Sequence, residues 1–184
     1  MTKAVFLDRD GVINIDYGYV GKISDFHFIE GVVESLAALK KAGFLLILVT
    51  NQSGIARGFY SEEDFHNLTA YMQDELAKEH ASFDGIYYCP HHPKATLLQY
   101  RKECTCRKPQ PGMILKARDD FKIDLSKSIM IGDHAGDLLA AKAAGIPKLC
   151  LVGEHIATER EKIDGISCFE SLKKCTAELL SQSR

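Results

Sequence analysis

The feature that most restricts the fold is a repeated alternation of short, almost unbroken apolar runs with segments whose apolar residues recur at helical spacing. The runs are Ala4 to Leu7, Phe44 to Val49, Gly85 to Tyr88, Ser128 to Ile131 and Leu149 to Val152. Runs this short, with few polar interruptions, predict strands covered on both faces. Between them, Val32, Val33, Leu36 and Leu39 share one helical face, with Gly43 placed to end that helix. Ser61 can cap a second helix, whose Phe65, Leu68, Met72 and Leu76 form a core-facing stripe. Pro111 or Gly112 opens a third helix, and Asp137 to Ala144 form a fourth that stops at Gly145. Strands alternating with helices predict an α/β fold, a single Rossmann-like, doubly wound parallel sheet with ligand chemistry at the strands' carboxyl ends.

A chain of 184 residues is expected to form one domain over 1–184, with a core that needs no disulfides. Two segments break the alternation, Gly11 to Gly31 and Cys89 to Pro111. Such insertions at strand ends are usually functional loops, and neither is long enough to make a separate cap domain. Lys and Arg total 23 against 25 Asp and Glu, with no run of like charge, which disfavours a nucleic-acid partner. The apolar run entered from Met1-Thr2-Lys3 ends at Leu7, too short for an export signal or a membrane span. The expectation is therefore a cytoplasmic monomer with no membrane partner. In that setting the six cysteines read as metal ligands and buried thiols rather than disulfides.

Directly after the first strand stands Asp8-Arg9-Asp10-Gly11-Val12, two carboxylates two residues apart where the chain leaves the sheet. A carboxylate can attack phosphorus if a cation offsets anion repulsion and a second group handles the leaving-group proton. Asp8 is the candidate nucleophile and Asp10 the candidate acid and base. The second strand leads into Thr50-Asn51-Gln52-Ser53-Gly54, where a hydroxyl and loop amides can meet phosphoryl oxygens. The fourth leads into Gly132-Asp133-His134-Ala135-Gly136-Asp137, where Asp133 can join Asp8 around Mg²⁺ and Asp137 can hold the loop or cap the helix. Arg107-Lys108-Pro109 offers a fixed cation for phosphate and for the attacking carboxylate.

These features, in this order, resemble the four motifs of the haloacid-dehalogenase-type phosphatases over roughly Val5 to Gly153. The resemblance implies Asp8 as nucleophile, Asp10 as general acid and base, and Thr50 and Lys108 as stabilisers of the phosphoryl group. It further implies Mg²⁺ held by Asp8, Asp133 and the backbone carbonyl of Asp10.

Between about residues 89 and 106, Cys89-Pro90-His91-His92 and Cys104-Thr105-Cys106 supply two close pairs of soft ligands in a polar loop. Four-coordinate zinc suits Cys89, His91, Cys104 and Cys106, with no open position and hence a structural role. Cys150, Cys168 and Cys175 read as structural thiols. Cys-x-His-x-Pro followed by Cys-x-Cys-Arg-Lys-Pro resembles the D-glycero-D-manno-heptose 1,7-bisphosphate phosphatases, a pattern shared with histidinol-phosphate phosphatases. In the heptose enzymes the C7 phosphate is removed, within surface-glycan and lipopolysaccharide synthesis. The resemblance implies a small phosphorylated sugar held by Asp16, Tyr19, Asn51, Gln52, Ser53 and Arg107. His134 stands where many of these enzymes carry lysine and is a further candidate for substrate contact. Two readings from other classes are a receiver-like signalling module with a phosphorylated Asp8 and a zinc-dependent interaction module. Asp10 argues for turnover rather than a switch.

Overall fold

The protein is described from a computed structural model that covers residues 2–182; Met1 and the last two residues of the expected 1–184 domain lie outside the described residues. Six strands build one sheet: β1 (Ala4–Leu7), β2 (Leu45–Asn51), β3 (Gly85–Cys89), β4 (Ile129–Gly132), β5 (Lys148–Val152) and β6 (Ser167–Phe169). Their order is β3-β2-β1-β4-β5-β6 and every neighbouring pair is parallel. The helices are α1 (Val32–Lys41), α2 (Ser53–Ala56), α3 (Glu62–Ala77), α4 (Gly112–Phe121), α5 (Ala135–Ala144), α6 (Ile156–Glu159) and α7 (Leu172–Ser181).

The apolar runs work as expected because successive side chains of a strand point to opposite faces. Val5, Leu7, Leu46 and Leu48 pack with α1, α3 and α7 on one side of the sheet. Ala4, Phe6, Ile47 and Val49 pack with α4 and α5 on the other. Both faces are covered, so the strands carry almost no polar residues until their carboxyl ends. Strand order reverses at β1, whose neighbours are β2 and β4, and a crevice opens there beyond the strand ends. Among the described residues no helix is long and apolar enough to cross a membrane.

Local signals hold where their chemistry is complete. Ser61 Oγ accepts from Asp64 N and Asp64 Oδ2 accepts from Ser61 N, a reciprocal cap that starts α3. The expected start of α5 at Asp137 is two residues late. Its carboxylate reaches back to the His134 backbone N–H at 3.1 Å, so the helix begins at Ala135 with Asp137 in its first turn. The strand β6 and helix α7 were not expected, although Leu172, Cys175, Thr176 and Leu179 make a buried helical stripe behind a Ser171 cap. Cys150 and Cys175 are buried free thiols of the core, and Cys168 lies half-buried on β6.

Candidate active site

β1 ends at Leu7 and delivers Asp8 into the crevice; β2 delivers Thr50, and β4 delivers Asp133. The first turn after Asp8 needs a glycine. At Gly11 φ is +80°, and a Cβ would lie 2.1 Å from Asp133 Oδ2. The Asp8 loop can therefore close on the Asp133 carboxylate only without a side chain at this position.

Lys108 is the centre of the charge arrangement. Its ammonium is buried and donates to the Val49 carbonyl at 2.7 Å, with Asp137 Oδ1 at 2.7 Å and Asp8 Oδ1 at 3.0 Å. Asn51 holds the Lys108 backbone from both sides, Oδ1 accepting from its N–H and Nδ2 donating to its carbonyl, each at 3.0 Å. Burial alone would push this ammonium down, but Asp137 and Asp8 outweigh it and hold Lys108 above the usual lysine range. The same burial, with Asp137 and Asp133 adding repulsion against the attraction of Lys108, pushes Asp8 up to about 8. Burial likewise raises Asp133.

Asp8, Asp133 and Asp137 offer carboxylate oxygens within 4.8 Å of one another. Three acids around one ammonium leave an uncompensated negative charge, and such a set fits a hard divalent cation. Both oxygens of Asp137 are already engaged, by Lys108 and by the His134 N–H. Asp8 and Asp133 are thus the side chains suited to hold the cation.

Asp10 lies in a different environment. Its Oδ1 accepts from Arg9 Nη2 at 2.9 Å, Arg9 Nε at 3.2 Å and Asn14 Nδ2 at 3.0 Å; its Oδ2 accepts from Arg9 Nη2 and Gln52 Nε2, both at 3.2 Å. Arg9 is 1% exposed, and its Nη2 also donates to the Val20 carbonyl at 2.6 Å. Gln52 donates as well to Thr50 Oγ1 at 2.9 Å and accepts from Tyr60 Oη, which fixes its amide. With its carboxylate so engaged, Asp10 has only its backbone carbonyl to offer a cation.

A cleft of about 380 Å³ collects most of the candidates: Asp8, Asp10, Asp16, Tyr19, Asn51, Gln52, Ser53, Asp133 and His134 line it. Thr50 and Lys108 are buried beneath it. Arg107 does not line it; its guanidinium rests on the His91 carbonyl at 3.4 Å. Asp16 Oδ1 accepts from Gly18 N at 2.8 Å, shaping the loop that presents Tyr19. Tyr19 packs edge-on to Phe59 at 4.9 Å, with Arg57 5.5 Å from its ring. The Asp133 carboxylate, 2.9 Å from His134 Nδ1, pushes that imidazole up to about 9 against the opposing effect of burial.

Arg9, Asn14, Tyr60 and the Asp137–Lys108 pair were not expected. A carboxylate flanked by arginine in a strand-end turn was the available signal for the first.

At the edge of the sheet, Cys106 Sγ lies 3.0 Å from Cys89 Sγ, 3.3 Å from Cys104 Sγ and 3.4 Å from His91 Nδ1. Cys89 Sγ is 3.5 Å from Cys104 Sγ and 3.7 Å from His91 Nδ1. Ligands about 2.0 to 2.3 Å from one tetrahedral metal are separated by roughly 3.3 to 3.8 Å; the other separations lie in this range, and the Cys89–Cys106 pair, a few tenths of an ångström closer, needs only a small opening to admit zinc. Burial pushes the Cys89 thiol well above its usual range, so a metal bound there must displace its proton.

Comparison with known proteins gives concordant matches. A family model described as HAD-hydrolase-like matches residues 105–172. A D-glycero-beta-D-manno-heptose-1,7-bisphosphate 7-phosphatase of Vibrio cholerae is 56% identical over 162 residues, 87% of each chain. The protein of that name from Escherichia coli K12 is 51% identical over 160 residues, 86% of this chain and 84% of its own. A crystal structure of D,D-heptose 1,7-bisphosphate phosphatase from B. bronchiseptica, complexed with magnesium and phosphate, superposes with a TM-score of 0.88 at 31% identity. It covers 98% of this chain and 99% of that one.

The position of Asp8 predicts a pH signature. Its ordinary value of 3.8 is raised to about 8 by folding, so between these limits the folded, cation-free protein binds the extra proton. Cation-free protein should therefore lose stability as pH rises from about 4 to about 8, relative to Asp8→Asn measured in parallel. Mg²⁺ should raise the melting temperature more at pH 8 than at pH 5. A pH-independent difference between the two proteins would contradict the assignment.

Proposed function

The chain belongs to the family of D-glycero-beta-D-manno-heptose-1,7-bisphosphate 7-phosphatases, within the HAD-like hydrolases, and on that premise we propose that it removes the C7 phosphate of this β-heptose bisphosphate, leaving the heptose 1-phosphate. The observation that carries the reading is the pair of carboxylates at the end of β1, two residues apart and in opposite environments. Asp8 faces acids and one ammonium; Asp10 is surrounded by donors.

In the proposed reaction an oxygen of Asp8 attacks phosphorus in line with the C7 oxygen, and an aspartyl-phosphate forms as the P–O bond to the sugar breaks. Lys108 already touches Asp8 Oδ1, so the other oxygen, which carries no hydrogen bond among the described residues, is the one to attack. Asp10 gives its proton to the departing alkoxide and then takes one from the water that cleaves the intermediate. Thr50 Oγ1 and the Lys108 ammonium stabilise the phosphoryl oxygens. A magnesium ion held by Asp8, Asp133 and the Asp10 carbonyl would supply the positive charge that lets two anions approach. Asp16, Tyr19, Asn51, Gln52 and Ser53 are assigned to the sugar loop and cleft wall, and Arg107 to the retained phosphate, which a guanidinium can grip through two oxygens. His134, which lines the cleft beside Asp133, is assigned to substrate contact at the place where a lysine is expected. Zinc on Cys89, His91, Cys104 and Cys106 folds the loop that carries Arg107 and Lys108. The names of the relatives favour heptose bisphosphate over histidinol phosphate, and the donor-held Asp10 favours an enzyme over a receiver-like switch.

Phosphate release measured on β- and α-heptose 1,7-bisphosphate and on histidinol phosphate should give the highest kcat/KM with the β-heptose. A preference for histidinol phosphate would overturn the substrate. Asp8→Asn should lower kcat at least about a thousandfold without unfolding.

Arg9 should matter chiefly through Asp10. Arg9→Lys keeps the buried charge but cannot grip both oxygens, and should slow a sugar phosphate by up to about a hundredfold. Turnover of p-nitrophenyl phosphate, whose leaving group departs without a proton, should change far less. Equal losses on both substrates would show general damage instead.

Protein prepared without chelators should hold one zinc per chain. Its removal should lower kcat on every substrate, with the zinc content and kcat falling together.

A further inference from the structure

Apart from the two metal-type clusters already described, the described residues bring one more set of such donors together. Asp133, His134 and His155 each present a carboxylate oxygen or imidazole nitrogen, and these atoms lie within 4.8 Å of one another. Asp133 and His134 come from the end of β4, and His155 from the loop after β5. The two imidazole rings face each other at 5.0 Å with a tilt of 40°. His155 also lines a neighbouring cavity of about 370 Å³ that reaches Asp133 and has Asp16, Glu154 and Glu170 in its wall, a cation-attracting surround.

The Asp133 side chain is 3% exposed, and its Oδ1 lies 2.9 Å from His134 Nδ1. A metal ion bound by both atoms would displace the proton they share. Two donors 2.9 Å apart subtend about 90° at a metal roughly 2.0 to 2.1 Å from each. That is the bite of a six- or five-coordinate ion rather than a tetrahedral one. His155 is exposed, so its ring can turn in to supply the third ligand.

Two imidazoles and one carboxylate favour borderline transition metals over magnesium, which prefers oxygen ligands and retains its water. We propose that Asp133, His134 and His155 form a binding site for a divalent transition metal of the nickel or zinc class, adjoining the hard-cation position, and that occupancy inhibits the enzyme. The two positions share Asp133 and use different sides of its carboxylate, with Oδ2 held against Gly11 and Oδ1 toward the imidazoles. A metal on Oδ1 draws the carboxylate away from the cation beside Asp8 and ties down His134, which lines the cleft. The inhibition rests on the phosphatase reading given above; the binding does not.

The test uses the full chain with its zinc loop loaded and Mg²⁺ saturating. Ni²⁺ is titrated by calorimetry, and phosphate release is followed over the same range. Wild type should bind one nickel per chain beyond the zinc and lose turnover with the same midpoint. His155→Gln should keep Mg²⁺-supported turnover, while its nickel affinity and its sensitivity to inhibition both fall by about tenfold or more. His134→Asn should show the same fall in nickel affinity. Absence of nickel binding, or a His155→Gln protein that binds as wild type does, would overturn the proposal. Zinc released in step with inhibition would place nickel on the cysteine cluster and overturn it equally. If wild type proves inactive on the heptose substrate, the phosphatase reading fails, while the difference in calorimetric affinity between wild type and His155→Gln still decides the site.

Discussion

The site depends on one buried ammonium. Lys108 gives its three N–H groups to the Val49 carbonyl, Asp8 and Asp137, which belong to β2, the end of β1 and α5. None of these charges would be tolerable at such burial alone, since an isolated ion loses several kcal/mol of hydration and regains it only from close partners. The cluster therefore joins elements from both sides of the switch point in the sheet, and the orientation of Asp8 comes from it. A carboxylate that must attack phosphorus along one line benefits from having one oxygen pinned and the other left without a hydrogen bond.

The same cluster is deliberately out of balance. Asp8, Asp133 and Asp137 surround a single lysine, and burial, with the repulsion of Asp137 and Asp133 added, raises Asp8 to about 8. Two residues on, Asp10 has an arginine, an asparagine and a glutamine directed at its oxygens. Two carboxylates from one turn thus stand in opposite environments, one among acids and a single ammonium and one among donors, which is the separation that the proposed division of labour between them requires. Arg9 also donates to the Val20 carbonyl, so the Asp10 side chain is anchored to the loop that carries Asp16 and Tyr19.

Much of this was legible in the sequence, for a physical reason. A sheet buried on both faces confines polar residues to its strand ends, so Asp8, Thr50 and Asp133 stand out against the apolar runs that precede them. The four zinc-type ligands were legible because soft donors in a polar loop have few other uses. What escaped is long-range pairing. Nothing in the local sequence tells that Asp137 faces Lys108, or that Arg9, which reads as a surface residue of a turn, lies beneath Phe65 with almost no exposure. The final strand and helix escaped because β6 is only three residues long, although the stripe of α7 was there to be read.

The metal-type loop and the catalytic groups are bound into one unit by the ends of β2 and β3. Asn51 pairs with Cys89 across those strands, and the Gln52 N–H donates to the Cys89 carbonyl at 2.8 Å. Cys89 is thus both a donor of the thiol–imidazole cluster and the backbone anchor of Gln52, whose amide reaches Asp10 and Thr50. At the other end of the loop, Cys106 is separated from Lys108 by Arg107 alone, and Asn51 grips the Lys108 backbone. A loop with few apolar residues has no core of its own to hold these ends together. The thiol–imidazole cluster at its base therefore bears on two sides of the site at once, the ammonium beside Asp8 and the amide beside Asp10, and a loosened cluster would disturb both without any residue of the cleft having changed.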